Sequence, residues 1–503
     1  MSAHPAVAAA PAFVPPRVLR PLALLLLAAG LNNAAFASPA SDIAELKKAL
    51  AAMKSDYDKR IGTLESQLHD TQAELARAKA ANAAGAPLAA ASAAAPAPLP
   101  AVADNVPVAP APMPAAAAPA PVDLSGNAPN GAANGGSFNP QISLILSGTY
   151  AHTSQDPGQA RITGFALPSG AEVGVGSRGF SLAESELALA ANIDPWLAGN
   201  INLSISGDNS IEAEEAFITT TTLPDGLVLK AGRFFSGIGY LNSQHSHTWD
   251  FVDNPIAYQA MLGTQYADDG VQLHWLAPTD TYMEFGLEAG RGRGFPGDDG
   301  SRNAAGMTAF TFHTGGDLGD SVSWRGGLSL LQASANDQTL VQDAYGSLDT
   351  TALFNGRTRV VVADGVMKWS PNGNATRTYF KLQGEWLQSR RDGNLSQIAD
   401  GPFALHQVQS GGYIQGVYQF MPMWRVGLRT ERLNPGHDNW ALAPGLSDDF
   451  HPTKNAVMVD FSESEFARVR LQIAQDSTRQ GYVDNQWLLQ YQTSLGAHGA
   501  HAY

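Results

Sequence analysis

From Phe138 onward the chain runs in short segments whose apolar side chains recur at every second position, divided by turn residues. Nowhere in its 503 residues does an apolar run reach the ~18 positions that a membrane-spanning helix requires. Trp487, Leu489, Tyr491, Thr493 and Leu495 alternate with Leu488, Gln490, Gln492 and Ser494. Ala467, Val469, Leu471 and Ile473 alternate with Arg468, Arg470 and Gln472, and Phe380, Leu382, Gly384 and Trp386 with Tyr379, Lys381, Gln383 and Glu385. Only helices and closed barrels satisfy every backbone group in lipid, so a membrane protein with this pattern must be a barrel. A soluble β-sandwich alternates as well; the start of the chain and the spacing of its loops separate the two.

The first 37 residues read as a secretory signal peptide. Arg17 and Arg20 supply positive charge, Pro21 to Leu31 an apolar run, and Ala35-Phe36-Ala37 a small-residue cleavage site, giving a mature start near Ser38. Residues 41–79 carry a helical pattern: Ile43, Leu46, Leu50, Met53 and Tyr57 step by three and four, and Ile61, Leu64, Leu68 and Leu75 continue after a stutter. Such a stripe cannot bury itself alone, which predicts a self-associating periplasmic coiled coil and a homotrimer through it. Residues 80–137 are an Ala/Pro-rich linker with no pattern that could pack a core, and residues 138–503 form the barrel. There is no cysteine, so neither disulfides nor a lipid-modified cysteine is expected, and the net charge of −15 argues against a nucleic-acid partner.

Strands are expected near 141–150, 182–193, 198–206, 211–221, 227–235, 269–276, 281–290, 306–314, 322–333, 359–369, 376–388, 410–420, 424–432, 455–461, 466–475 and 485–495. Short turns such as Asp194-Pro195-Trp196 and Met421-Pro422-Met423 then alternate with long connections at 151–181, 236–268, 291–305, 334–358, 389–409 and 433–454. The fold class that follows is an all-β transmembrane barrel of about 16 antiparallel strands, behind a coiled coil and a disordered spacer. A barrel of about 16 strands leaves an aqueous channel, whereas about 22 strands need a plug, and no plug-sized segment precedes Phe138.

If the alternation holds, Arg325, Arg377, Lys381, Arg425, Arg429, Arg468 and Arg470 point into the lumen from later strands, and Glu184, Glu186, Glu284 and Glu288 from earlier ones. Lumen charges tune selectivity, so the pattern suits small hydrophilic, especially anionic, solutes. The connection from Ser236 to Asp268 is long enough to fold inward. Its His245, His247 and Asp250 have the chemistry of a zinc site, against the plainer reading that they tie the loop to the wall. Six histidines (His152, His245, His247, His406, His437, His451) fall in expected outer connections. No nucleophile–base spacing marks an enzyme, and no cofactor other than such a zinc ion is implied.

Several stretches resemble a family of proteobacterial outer-membrane barrels often labelled TonB-dependent or zinc-regulated receptors. They are Glu214-Glu215-Ala216-Phe217, Leu229 to Phe235, Asn242 with His245 and His247, Trp249 to Asp253, Asp268 to Val271, Glu465 to Gln472 and Ser494 to Tyr503. In plan the chain is similar to phosphate-selective and dicarboxylate porins, some of which carry N-terminal coiled coils and are trimers. The resemblance implies outer-membrane lipid around the barrel and uptake of solute through it, with zinc or another nutrient as the receptor alternative. It also implies recognition of the terminal Tyr503 by the barrel-assembly machinery.

Overall fold

The computed structural model describes residues 140–496 apart from 172, 208–209, 301, 343–349, 397–401, 437–449 and 465. The signal peptide, coiled coil and linker expected at 1–37, 41–79 and 80–137 lie outside the described residues, as do His437, Glu465 and Tyr503.

The described strands, in chain order, are β1 (Gln141–Thr153), β2 (Leu167–Pro168), β3 (Gly179–Leu182), β4 (Ser185–Asn192), β5 (Leu197–Ile205), β6 (Ile211–Thr220), β7 (Leu227–Phe235), β8 (Ala267–Leu276), β9 (Tyr282–Gly290) and β10 (Met307–Leu318). There follow β11 (Val322–Gln342), β12 (Thr350–Trp369), β13 (Tyr379–Ser396), β14 (Phe403–Met421), β15 (Trp424–Asn434), β16 (Thr453–Ser464), β17 (Ala467–Ser477) and β18 (Asp484–Gly496). Among the described residues one α-helix, α1 (Ile256–Leu262), lies between β7 and β8. No helix among the described residues is long and apolar enough to cross a membrane.

Each barrel strand pairs antiparallel with its sequence neighbours, and β1 closes the cylinder on β18 with Leu144 opposite Leu495 and Tyr150 opposite Leu489. β3 and β4 both pair with β1, one above the other, so they are a single wall strand interrupted at Ala183-Glu184. β2 is a short inner strand of the first loop that pairs with the far end of β11. The wall therefore has sixteen strands.

Alternation sorts the two faces as the sequence predicts. Trp487, Leu489, Tyr491 and Leu495 face outward, and Gln490, Gln492 and Ser494 are buried on the inside. Exposed aromatics, Trp196, Trp275, Trp369, Phe420, Trp424 and Phe466, gather at the strand ends beside the short turns, the arrangement expected where a barrel meets an interface.

Two expected loops are mostly strand. Residues 334–342 and 350–358 extend β11 and β12, and 389–396 and 403–409 extend β13 and β14. These extensions escaped the alternation signal because polar residues such as Ser334, Asn336, Arg357, Arg390 and Asp392 fill them; beyond the lipid a strand needs no apolar face. Their inner faces pack against the first and fourth loops through Ala166, Phe295, Leu340, Phe354, Leu395 and Leu405. His152 and His406, expected in loops, are in β1 and β14.

The main apolar cluster sits inside the cylinder. Ile238, Leu241, Ile256, Tyr258, Met261 and Leu262 from the β7–β8 loop, with Ile162 and Phe165 from the first loop, pack on inward Leu331, Val360, Val362, Leu387 and Leu433. All seven residues of α1 are buried, and α1 packs against β13, β14 and β15. Seven residues are too few for a stable isolated helix, so this packing is what holds α1 in shape.

Candidate functional site: the lumen and its inward loop

The β7–β8 loop, hereafter L3 (residues 236–266), crosses the lumen and is fastened to four parts of the wall. At β9, Glu288 accepts from the Ser236 hydroxyl at 2.6 Å and the Gly237 N–H at 2.8 Å. At β13, the Glu385 carboxylate accepts the N–H groups of Tyr240 and Leu241, at 2.9 and 3.0 Å, and the Tyr258 hydroxyl at 2.7 Å. Gly239 is in the left-handed region (φ 68°), where a side chain would collide with that carboxylate.

The third fastening is cationic. Asp250 lies 2.5 Å from Lys381 Nζ and 3.2 Å from Arg425, which also pairs with Asp460. Three residues on, Asp253 pairs with Arg429 and Lys454, both at 2.6 Å. Burial would raise both aspartates, but these cations hold them well below the usual carboxylate range. Arg470 pairs with Asp460 at 3.3 Å, and Arg468 donates to the His247 carbonyl at 2.8 Å. Lys368, which no alternation signal marks, stands 4.8 Å from the Tyr379 ring centroid in the same group. Lys368 and Arg468 thus stand beside Lys381, Arg425 and Arg470, which share two carboxylates, Asp250 and Asp460.

The fourth fastening is acidic and lies on β3 to β6. Ser246 donates to Glu184 at 2.5 Å, and His247 Nδ1 is 2.8 Å from Glu186. His245 has Nδ1 3.4 Å from both Glu186 Oε1 and Glu214 Oε2. Its Nε2 is 3.1 Å from Glu215 and 3.0 Å from the Asn202 amide. Consecutive Glu214 and Glu215 both reach inward because the β5–β6 pairing slips there: Asn202 opposes Glu215 while Leu203 opposes Ala213, leaving Glu214 as the extra residue of a bulge. Burial opposes charge on His245, but Glu186, Glu214 and Glu215 raise it well above its ordinary value.

The expected trio of His245, His247 and Asp250 is brought together only in part. The rings of His245 and His247 stack with centroids 5.7 Å apart, both against Glu186, while Asp250 is bound to the cationic wall. The three donors that do converge are Glu186, Glu214 and His245. Arg325 points inward and lies 5.3 Å from the Tyr240 ring, while Glu284 faces inward between His274 and His313. Arg377 is exposed in the turn before β13, not on the strand, so it does not line the lumen.

No family model matches the chain. An "Uncharacterized protein" of Aquifex aeolicus (strain VF5) is 30% identical over 395 residues, spanning 73% of this chain and 80% of that one. Similar solved structures include the outer membrane channel DcaP of Acinetobacter baumannii (10% identity, TM-score 0.43, 71% of this chain and 97% of that one). Others are OprB of Pseudomonas putida (13%, 0.43, 71% and 94%) and an anion-selective porin from Comamonas acidovorans (9%, 0.40, 71% and 100%).

Proposed function

The chain belongs to the same family as the Aquifex aeolicus protein, and from the closed cylinder and the charges on its inner wall we propose a porin-type outer-membrane channel for passive diffusion of small hydrophilic, preferentially anionic, solutes. One observation carries the reading. The lumen is divided: on β12 to β17, Lys381, Arg425 and Arg470 gather around Asp250 and Asp460 with Lys368 and Arg468 beside them, and Arg429 and Lys454 pair with Asp253, Glu431 and Asp476, while Glu184, Glu186, Glu214 and Glu215 crowd β3 to β6. Charges on opposed walls of a narrow aqueous passage set a transverse field that orients a solute and selects its sign. L3 lies between the two walls and decides how much of each a solute meets.

In this reading the barrel sits in outer-membrane lipid, and the predicted coiled coil at 41–79 lies in the periplasm and joins three copies. A wall of sixteen strands suits an open channel, whereas energy-coupled uptake of zinc or another nutrient calls for the larger, plugged barrels, so it is the less favoured reading. We read the chain as a channel, not an enzyme. Purified protein in planar bilayers should give stable stepwise conductance, with a reversal potential in a KCl gradient on the anion side. A protein that inserts yet conducts nothing removes the proposal.

A further inference from the structure

We propose that Glu186, Glu214 and His245 form a site for a divalent first-row metal ion that ties L3 to the β4–β6 wall. His245 Nδ1 lies 3.4 Å from Glu186 Oε1 and 3.4 Å from Glu214 Oε2, and the three donor atoms lie within 4.8 Å of one another. A tetrahedral ion with bonds of about 2.0–2.1 Å has edges of about 3.3–3.4 Å between its ligand atoms. A protonated imidazole holding a carboxylate would instead sit about 2.7–2.9 Å from one oxygen. Nδ1 here is equidistant from two oxygens and hydrogen-bonds to neither; it and Glu214 Oε2 are buried without a hydrogen-bond partner.

The surroundings have the second layer that metal-bound histidines need. Glu215 Oε2 lies 3.1 Å from Nε2, so a ring proton on Nε2 has an acceptor while the Nδ1 lone pair makes the ligand bond. The other oxygen of Glu186 is engaged by His247 at 2.8 Å, which orients Oε1 toward His245. The bulge that turns Glu214 and Glu215 inward together is therefore what supplies both a ligand and its supporting carboxylate. An imidazole nitrogen with two carboxylates suits zinc and its neighbours and disfavours magnesium or calcium, which take oxygen donors. Four carboxylates, Glu184, Glu186, Glu214 and Glu215, crowd this wall, and a dication would offset a buried excess of negative charge that is otherwise costly.

The test uses full-length protein, stripped with chelator in detergent and titrated with zinc by calorimetry, with cobalt as a spectroscopic substitute. One equivalent of zinc and the strong visible absorption of four-coordinate cobalt are expected. Glu214→Gln and His245→Gln should abolish the cobalt signal, Glu215→Gln should weaken binding by about 10–100-fold, and His406→Gln, exposed on the extension of β14, should leave binding unchanged. Absence of stoichiometric binding by the unmodified protein overturns the site, as does a cobalt spectrum unaltered in folded Glu214→Gln protein. The result is independent of conductance, so a channel that conducts but binds no metal refutes this inference alone.

Discussion

The hydroxyl of Tyr258 donates to the carboxylate of Glu385 at 2.7 Å, joining the α1 helix of L3 to the middle of β13. Glu385 accepts four donors in all, since the Tyr413 hydroxyl adds a bond at 2.6 Å to those of Tyr240, Leu241 and Tyr258. Two backbone N–H groups and two buried phenols depend on one carboxylate. L3 is thus held as a fixed partition across the lumen.

Glu385→Ala should strand those four donors inside the barrel. Losing the acceptor of a charged hydrogen bond costs about 1.5–3 kcal/mol each, less where water enters. The expected outcome is a lower unfolding midpoint in detergent and a noisier, larger single-channel conductance as L3 loosens. A barrel with unchanged conductance and melting would show that the apolar packing of α1 holds L3 without Glu385.

Gly239→Ala should act on the same anchor through the backbone. Gly239 has φ 68°, and an added Cβ would lie 2.4 Å from Glu385 Oε2 and 2.8 Å from the Tyr258 hydroxyl. Strain at a left-handed non-glycine position is roughly 1–3 kcal/mol before the collision is counted. Loss of stability by at least that amount, measured by denaturant unfolding, is expected, with the direction of the conductance change matching Glu385→Ala.

Much of the architecture was legible because lipid enforces it. A wall strand must be apolar on one face, so Leu471 and Ile473, or Leu489 and Tyr491, declare their orientation in sequence. Nothing enforces this for the extensions of β11 to β14, where water replaces lipid, and they read as loops. The site was legible only in part, for a different reason. His245 stands out as a residue type, but its partners Glu186 and Glu214 come from strands set by register, and the bulge at Glu214 has no periodic signature. Asp250 is only five positions from His245, yet L3 carries it to Lys381 and Arg425 while His245 stays with Glu186 and Glu214.

Lys368→Glu should move the reversal potential toward cations. Lys368 adds to the positive charge of the cationic wall, and its ammonium stands over the Tyr379 ring. The substitution changes that wall by two charge units. Because Lys368 is not one of the residues that fasten L3, conductance should change in selectivity with little change in stability. An unaltered reversal potential would place this wall outside the path of the ions.

The Asp250 and Asp253 fastenings set the acid limit of the closed partition. Each has its folded pKa depressed below the unfolded value of about 3.9, so each contributes stability that is fully present above that value. The contribution falls as pH drops through the unfolded value and is gone only below the folded one. Between about pH 5 and 8 L3 should therefore stay docked at this wall, and below about pH 4 its release should begin. Single-channel recordings across that range test it. Asp250→Asn mimics the acid state at neutral pH: it keeps the shape, leaves Lys381 without its 2.5 Å partner, and should cost several kcal/mol, as breaking one side of a buried pair does. In this variant the acid-induced change should be smaller than in the parent protein, because one of its two titrating groups is gone. An acid response of undiminished size would place the sensor elsewhere in the lumen.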